Sequence, residues 1–167
     1  MVEIRRAEVR DAERILRYCK IVGSETDNLL FGSEGLNISV ESERIILSNI
    51  ASREKDIMLV AIEDDDEVVG IGNIGGNMRE RISHQARLAI SIRQSHWGQG
   101  IGSKMMQALI DFAKSEAIEI ITLEVYRDNE PAIKLYKKFG FEEIGYFKNF
   151  SKVKGVYKDA ILMNLYL

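Results

Sequence analysis

The chain has 167 residues, 46% of them hydrophobic, which suits a single domain, residues 1–167, with a buried core. The formal net charge of −3 provides no broad basic field to attract nucleic acid, and no apolar run is long enough to span a membrane. Because the first residues lack a signal peptide's apolar core and the single cysteine, Cys19, excludes an internal disulfide, we expect a cytoplasmic protein.

The first third of the chain predicts one strand followed by two helices. Residues 2–6 alternate weakly between apolar and polar side chains, as a strand does. Asp11 and Ser39 stand where helix N-caps are expected. In the second helix, Ile46 and Ile50 fall on one face, which we expect to be buried.

Residues 23–38 are predicted to form a loop, because glycine, serine and asparagine interrupt any regular period. Three consecutive apolar residues, Leu29, Leu30 and Phe31, nevertheless lie inside it. Such a group either packs on the core or lines a pocket. Leu30 and Phe31 are therefore candidate substrate-binding residues.

The next segment predicts three consecutive strands. Residues 57–62 and a strand from Val68 flank a run of acids that includes 64–67, which is more typical of a solvated hairpin turn than of a metal site. Glycines at 70, 72 and 75 match a dinucleotide-binding pattern by letter, but no helix follows. We interpret them as positions of bulges or close approach within a strand. The third strand covers residues 84–93.

A glycine-rich turn joins this third strand to a helix at residues 100–116. Gly98, Gly100 and Gly102 follow the strand in quick succession, and a helical period begins beyond them. Backbone N–H groups at such a helix N-terminus can cradle a pyrophosphate. A P-loop is excluded because Ser103 occupies the place of its second glycine. A plain strand–turn–helix junction remains the alternative.

The last third predicts a strand at 118–125, a short helix capped by Asn129, and two strands at 141–147 and 156–167. The order of elements is strand, two helices, three strands, helix, strand, helix and two strands. This order predicts an α/β fold class, a mixed sheet with helices on both faces.

Two motifs resemble the GNAT (GCN5-related N-acetyltransferase) superfamily. The first is the acyl-coenzyme A loop, Arg/Gln-x-x-Gly-x-Gly/Ala, in which Trp97 replaces the Arg or Gln. The second contains a Leu-x-Val strand, then Asn129, then Ala132-x-x-Leu-Tyr136 and Gly-Phe. Together they span about residues 86–142 in the expected order.

The resemblance implies a GNAT-like fold with a splayed sheet, acetyl-coenzyme A as co-substrate, and no metal. Backbone groups of 90–92 would pair with the pantetheine amides where the strand separates from its neighbour. The implied coenzyme A contacts are Ile90, Ser91, Ile92, Trp97, Gly98, Gln99, Gly100, Ile101, Gly102, Ser103, Asn129, Ala132 and Tyr136.

Acetyl transfer to an amine needs an acid for the departing sulfur and a base for the ammonium proton. The resemblance implies that Tyr136 is the acid; packing on the core is its alternative role. Glu124 is our first candidate for the base, unless strand alternation turns it toward solvent. His84 is a second candidate, more plausible as a substrate contact at the rim or a surface residue, and His96 is expected to be exposed.

Tyr157, Asp159 and Met163 resemble a Tyr-x-Asp-x-x-x-Met pattern of small-molecule members of the superfamily. Asp159 would hold a cationic amine or orient its strand. The predicted substrate contacts are Leu30, Phe31, His84, Tyr157 and Asp159.

The sequence therefore predicts an acetyl-coenzyme A-dependent N-acetyltransferase acting on the primary amine of an amino acid or similar small molecule. Two alternatives remain: a ribosomal-protein-type N-terminal acetyltransferase and a non-catalytic acyl-coenzyme A-binding module. We expect a small-molecule amine as partner, neither nucleic acid nor membrane, and allow for a homodimer.

Overall fold

A computed structural model describes residues 1–64 and 66–167 of the chain, so Asp65 of the predicted acidic turn lies outside the described residues. The order of elements confirms the predicted one. The strands are β1 Glu3–Arg6, β2 Ile57–Ile62, β3 Val68–Gly76, β4 Gln85–Ile92, β5 Ile120–Tyr126, β6 Glu142–Val153 and β7 Val156–Tyr166. The helices are α1 Ala12–Glu25, α2 Val40–Ser52, α3 Ile101–Ser115 and α4 Glu130–Lys138.

The strands form one mixed sheet of seven, in the order β1-β2-β3-β4-β5-β7-β6. The pairing of β4 with β5 is parallel, and the other neighbouring pairs are antiparallel. The chain thus builds two antiparallel half-sheets that join along β4 and β5. This confirms the mixed α/β class.

The two half-sheets separate along part of their junction. Pairing between β4 and β5 runs from Gln85↔Ile120 to Arg87↔Thr122 and stops there. Beyond that point β4 stays paired with β3 as far as Ile92, and β5 stays paired with β7 as far as Tyr126. The sheet is therefore split between residues 88–92 and 123–126, which confirms the splay that the family resemblance implied.

Helices cover both faces of the sheet. On one face α3 and α4 pack against alternate residues of β4 and β5, including Leu88 and Leu123. Gly72 of β3 allows the close approach of α3, since a Cβ there would lie 2.7 Å from the Met105 sulfur. On the other face lie α1 and α2, and the Tyr18 hydroxyl of α1 hydrogen-bonds Ser91 Oγ at 2.9 Å.

Two expectations for the helices need correction. Ser39 caps α2 as predicted, accepting a hydrogen bond from Ser42 N, but Glu43 and Leu47 form its buried face while Ile46 is exposed. Leu47 joins Cys19 in the core against α1, and burial raises the pKa of the Glu43 carboxyl. Asp11 does stand at the N-cap of α1, but its carboxylate binds the Arg5 guanidinium at 2.8 and 2.9 Å instead of capping.

None of the helices in the described part of the chain is long and apolar enough to cross a membrane.

Candidate active site

The split in the sheet opens into a cleft of about 420 Å³. Its walls are the separated parts of β4 and β5, the N-terminal ends of α3 and α4, residues 28–30 of the loop after α1, and Phe150. Because the split passes through the sheet, the cleft can be reached from both faces. The two faces present different chemical groups.

The β4 wall offers unpaired backbone groups. Peptide groups along a strand point alternately to either side. The His84 carbonyl accepts from Ile120 N at 3.1 Å and so faces β5, whereas Arg93 N donates to Val69 O at 2.9 Å and faces β3. By this alternation Ile90 and Ile92 direct their backbone groups into the split, and Ser91 directs its own toward β3.

Trp97 covers the end of this free edge. Its indole Nε1 donates to the Ile92 carbonyl at 2.9 Å, and its half-exposed ring lines the cleft. Trp97, which replaces the Arg or Gln of the motif, therefore pairs the last carbonyl of β4 within the protein itself. It leaves the Ile90 groups and the Ile92 N–H as the free positions on this edge.

The turn between β4 and α3 presents a row of free N–H donors. Within the described residues, the N–H groups of 98–103 have no hydrogen-bond acceptor, and Lys104 is the first to bond, to Gly100 O at 3.1 Å. Gly98 and Gly100 adopt positive φ angles of 74° and 78°, which orient the turn and favour glycine. These donors, together with the α3 dipole, fit an anion such as a pyrophosphate.

Two residues of this turn that were expected to contact coenzyme A lie outside the cleft lining. The Gln99 side chain donates to Ser95 O at 3.2 Å, and neither Gln99 nor Ser103 lines the cleft. Gly98, Gly100, Ile101 and Gly102 do line it.

The N-terminus of α4 forms the opposite wall. Asn129 caps the helix as predicted, with its Oδ1 accepting from Ala132 N at 3.4 Å. Asn129 and Ala132 both line the cleft.

Tyr136 reaches the cleft from the last turn of α4. Its side chain is 6% exposed and packs against the Phe141 ring at 5.7 Å between centroids. Burial raises the pKa of Tyr136 to about 12, and the hydroxyl makes no hydrogen bond within the described residues. The hydroxyl is therefore protonated at neutral pH and free to donate to a ligand.

Glu124 enters the cleft from the other face of the sheet. Its neighbours Leu123 and Val125 are buried against the α3 face, so alternation along β5 places Glu124 on the α1 face. The side chain is 24% exposed and lines the cleft, and its Oε2 lies 2.5 Å from Nη2 of Arg87. Glu124 thus faces the opening of the cleft, held by an ion pair, and does not point into bulk solvent.

An apolar wall on the α1 face was missed from the sequence. A register shift between Phe147 and Ser151 bulges β6, and Phe150 packs edge-on against Tyr126 in the cleft at 6.0 Å. Lys158 Nζ lies 4.5 Å from the centre of the Tyr126 ring and donates to Asn28 Oδ1 at 3.2 Å. This contact ties the loop after α1 to the second half-sheet.

His96 was expected to be exposed, and the structure corrects this. Its side chain is 11% exposed and lines the cleft. Nε2 lies 3.3 Å from Glu63 Oε1, and Nδ1 lies 2.8 Å from Ser95 Oγ.

Of the five predicted substrate contacts, only Leu30 lines the cleft. Phe31 packs on the α1 core, and His84 lies at the other end of β4, where its carbonyl pairs with Glu119 and Ile120. Tyr157 is exposed, with Lys152 Nζ 5.0 Å from its ring centre. Asp159 accepts from Asn149 N at 2.8 Å and from the Tyr146 hydroxyl, which lower the pKa of its carboxyl. It orients the β6 bulge, the second of the two roles considered for it.

Known proteins share this architecture. The profile of the acetyltransferase (GNAT) family matches residues 27–141. The chain belongs to the GNAT acetyltransferase family. The resemblance carried by the glycine-rich turn and the α4 motif is therefore confirmed.

The chain is similar to an amino-acid acetyltransferase along nearly its whole length. The L-amino acid N-acetyltransferase AaaT of Escherichia coli (strain K12) is 32% identical over 170 residues, covering 97% of this chain and 96% of that protein. The N-alpha-acetyltransferase RimI of Mycobacterium tuberculosis is 34% identical over 74 residues, 44% of each chain. Among solved structures, a GNAT acetyltransferase from Streptococcus pneumoniae superposes with a TM-score of 0.95 at 30% identity over the full length of both chains.

The row of N–H donors at 98–103, which we call the cradle, can be tested as an anion site with a matched pair of substitutions. Gly100→Asp puts a like charge and a side chain among the N–H donors of 98–103, whereas Gly155→Asp makes the same change at a similar φ, 80°, in the β6–β7 turn. Two unit charges 4 Å apart repel by about 1 kcal/mol in water and by more where water is excluded. We expect calorimetry to show coenzyme A binding weakened about tenfold or more by Gly100→Asp and unchanged by Gly155→Asp. Equal affinity in the two folded variants would contradict a pyrophosphate site at this turn.

Proposed function

We propose that the protein is a cytoplasmic acetyl-coenzyme A-dependent N-acetyltransferase that acetylates the amino group of an amino acid or a similar small amine. The observation that carries this proposal is the division of the cleft between the two faces of the sheet. The N–H cradle and the Tyr136 hydroxyl lie on the α3 face, and the Glu124 carboxylate lies on the α1 face. A donor and an acceptor can thus meet through the split.

The α3 face supplies the contacts that coenzyme A requires. Acetyl-coenzyme A brings the acetyl group as an activated thioester. The N–H groups of 98–103 would hold its pyrophosphate, and the free groups of Ile90 and Ile92 would pair with its amides. Asn129 and Ala132 line the same cleft.

Tyr136 suits the role of general acid. A hydroxyl with a pKa of about 12 keeps its proton at neutral pH. It would donate a hydrogen bond to the departing sulfur as negative charge develops there, and give it a proton as the bond to carbon breaks. The free N–H groups of β4 would meanwhile stabilise the negative charge that develops on the carbonyl oxygen.

Glu124 suits the role of general base. An amine must lose a proton before or during its attack, and a carboxylate on the α1 face can take it directly or through water. Arg87 holds this carboxylate in place.

The form of the acceptor wall favours a small molecule over a polypeptide. Asn28, Leu29 and Leu30 close over one side, and Lys158 fixes this loop to the second half-sheet. The amino-acid acetyltransferase from Escherichia coli is 32% identical and aligns with 97% of the chain. A homodimer remains a prediction.

Removal of the Tyr136 hydroxyl tests the acid. Tyr136→Phe keeps the ring that packs on Phe141, so coenzyme A affinity should hardly change. The kcat should fall by roughly 10²–10⁴, the range for one positioned acid. Tyr157→Phe, the same change outside the cleft, should leave kcat unaltered. A Tyr136→Phe enzyme with the wild-type kcat, when chemistry limits turnover, would assign Tyr136 to packing alone.

A pH–rate profile of Glu124→Gln tests the base. At pH 7 the rate should drop by roughly 10²–10⁴, and it should recover in part at high pH, where the solvent supplies free amine. Glu119→Gln, an exposed glutamate just before β5, serves as the control. If Glu124→Gln and Glu119→Gln both keep the wild-type profile, the ammonium proton passes to solvent and Glu124 has no catalytic role.

A further inference from the structure

Arg87 occupies the point where the two half-sheets separate. It is the last residue of β4 that pairs with β5, and its side chain lies on the α1 face beside Glu124. The mechanism above assigns it no contact with substrate. Its side chain is nevertheless 56% exposed and lines the cleft. An arginine there can contact a ligand in the cleft as well as hold the Glu124 carboxylate.

Most N–H donors of the Arg87 guanidinium have no acceptor within the described residues. A guanidinium carries five N–H donors, and within the described residues its one partner is the Glu124 carboxylate, on Nη2. Space for a ligand lies beside it, because the residue opposite on β3 is Gly75, where a Cβ would meet no atom within 4 Å. No other arginine or lysine is among the described residues that line the cleft.

We propose that Arg87 and Glu124 together bind the acceptor as a zwitterion, with Arg87 taking a carboxylate and Glu124 the neighbouring ammonium. The inference rests on the proposed function and makes it more specific. An α-amino acid carries its two charges on adjacent groups, and the Arg87–Glu124 pair offers the two opposite charges 2.5 Å apart. Charge-assisted hydrogen bonds from a planar guanidinium suit a carboxylate especially well. The substrate class is therefore the free α-amino acid, and an amine without a carboxylate binds poorly.

The proton balance of the reaction agrees with this division. Two protons leave the ammonium nitrogen in all. Glu124 takes the first and passes it to solvent, the neutral nitrogen forms a bond to the acetyl carbon, and the bond from that carbon to sulfur breaks as Tyr136 protonates the sulfur. The second proton leaves the nitrogen through water and restores the Tyr136 hydroxyl. Arg87 stays charged throughout, because a guanidinium does not give up its proton in proteins. The product amide keeps the carboxylate that Arg87 binds but has lost the positive charge that Glu124 attracts, which favours release of product over substrate.

A purely structural role for Arg87 makes a different prediction. If the ion pair with Glu124 only fastens β4 to β5, its loss disturbs the cleft for every acceptor alike. If Arg87 binds a carboxylate, its loss affects acceptors that carry one and spares those that do not. Leucine and leucinamide differ at that group alone, and the apolar wall of Leu29, Leu30 and Phe150 suits their side chain.

The test is kcat/KM for leucine and for leucinamide in the wild type, Arg87→Met, Arg87→Lys and Arg127→Met. Arg127 lies just after β5, outside the cleft lining, and controls for a change in net charge. We expect the wild type to prefer leucine. Truncating one partner of a hydrogen-bonded charge pair should lower kcat/KM for leucine about 30-fold or more in Arg87→Met, mainly through KM. Leucinamide should change by less than about threefold, Arg87→Lys should give an intermediate loss for leucine, and Arg127→Met should change neither.

Equal losses for leucine and leucinamide in Arg87→Met would overturn the inference and assign Arg87 to the fastening of the strands. An unchanged kcat/KM for leucine would overturn it as well. Coenzyme A affinity, measured by calorimetry, confirms that each variant is folded; should Arg87→Met not fold, Arg87→Lys decides by the same comparison of the two acceptors. A wild-type enzyme that acetylates leucinamide but not leucine would overturn the inference and leave the proposed function standing. If the wild type acetylates no amine in a wider panel, the proposed function fails and the inference with it.

Discussion

The structure depends on the early end of pairing between β4 and β5. After Arg87↔Thr122 the two strands part, although each remains in the sheet through its other neighbour, β3 or β7. Unpaired backbone groups are expensive to bury, so such a split persists only where the groups find other partners. Trp97 supplies one of these by donating to the Ile92 carbonyl. The remaining groups on β4 are free to pair with a ligand, and the split in the sheet is therefore the proposed coenzyme A site.

This split also explains how the proposed acid and the proposed base can come from opposite faces of the sheet. Tyr136 stands on α4, on the α3 face, and Glu124 extends from β5 on the α1 face. In a closed sheet the two would be separated by a layer of hydrogen-bonded strands. The opening would let a donor bound on one face react with an acceptor bound on the other. Strand alternation along β5 places Glu124 on the α1 face, and α4 places Tyr136 on the α3 face.

The parts of the site that could be predicted from the sequence are those built by short stretches of chain. The cradle at 98–103 and the cap at Asn129 depend on backbone geometry over a few residues, and their spacing is visible in the sequence. The Arg87–Glu124 pair and the position of Phe150 depend on the register between distant strands, which no local pattern encodes. For the same reason Asp159 was predicted to contact substrate, although its partners belong to the bulge in the strand beside it.

The central claim is that residues 88–92 of β4 keep a free edge that coenzyme A covers. Amide hydrogen exchange tests it most directly, because Ile90 N–H and Ile92 N–H face the split while Ser91 N–H faces β3. In the free protein, Ile90 and Ile92 should exchange fast and Ser91 slowly. Saturating acetyl-coenzyme A should slow Ile90 and Ile92 and leave Ser91 nearly unchanged. Slow exchange at Ile90 and Ile92 in the free protein, or fast exchange there that acetyl-coenzyme A does not alter, would contradict the account.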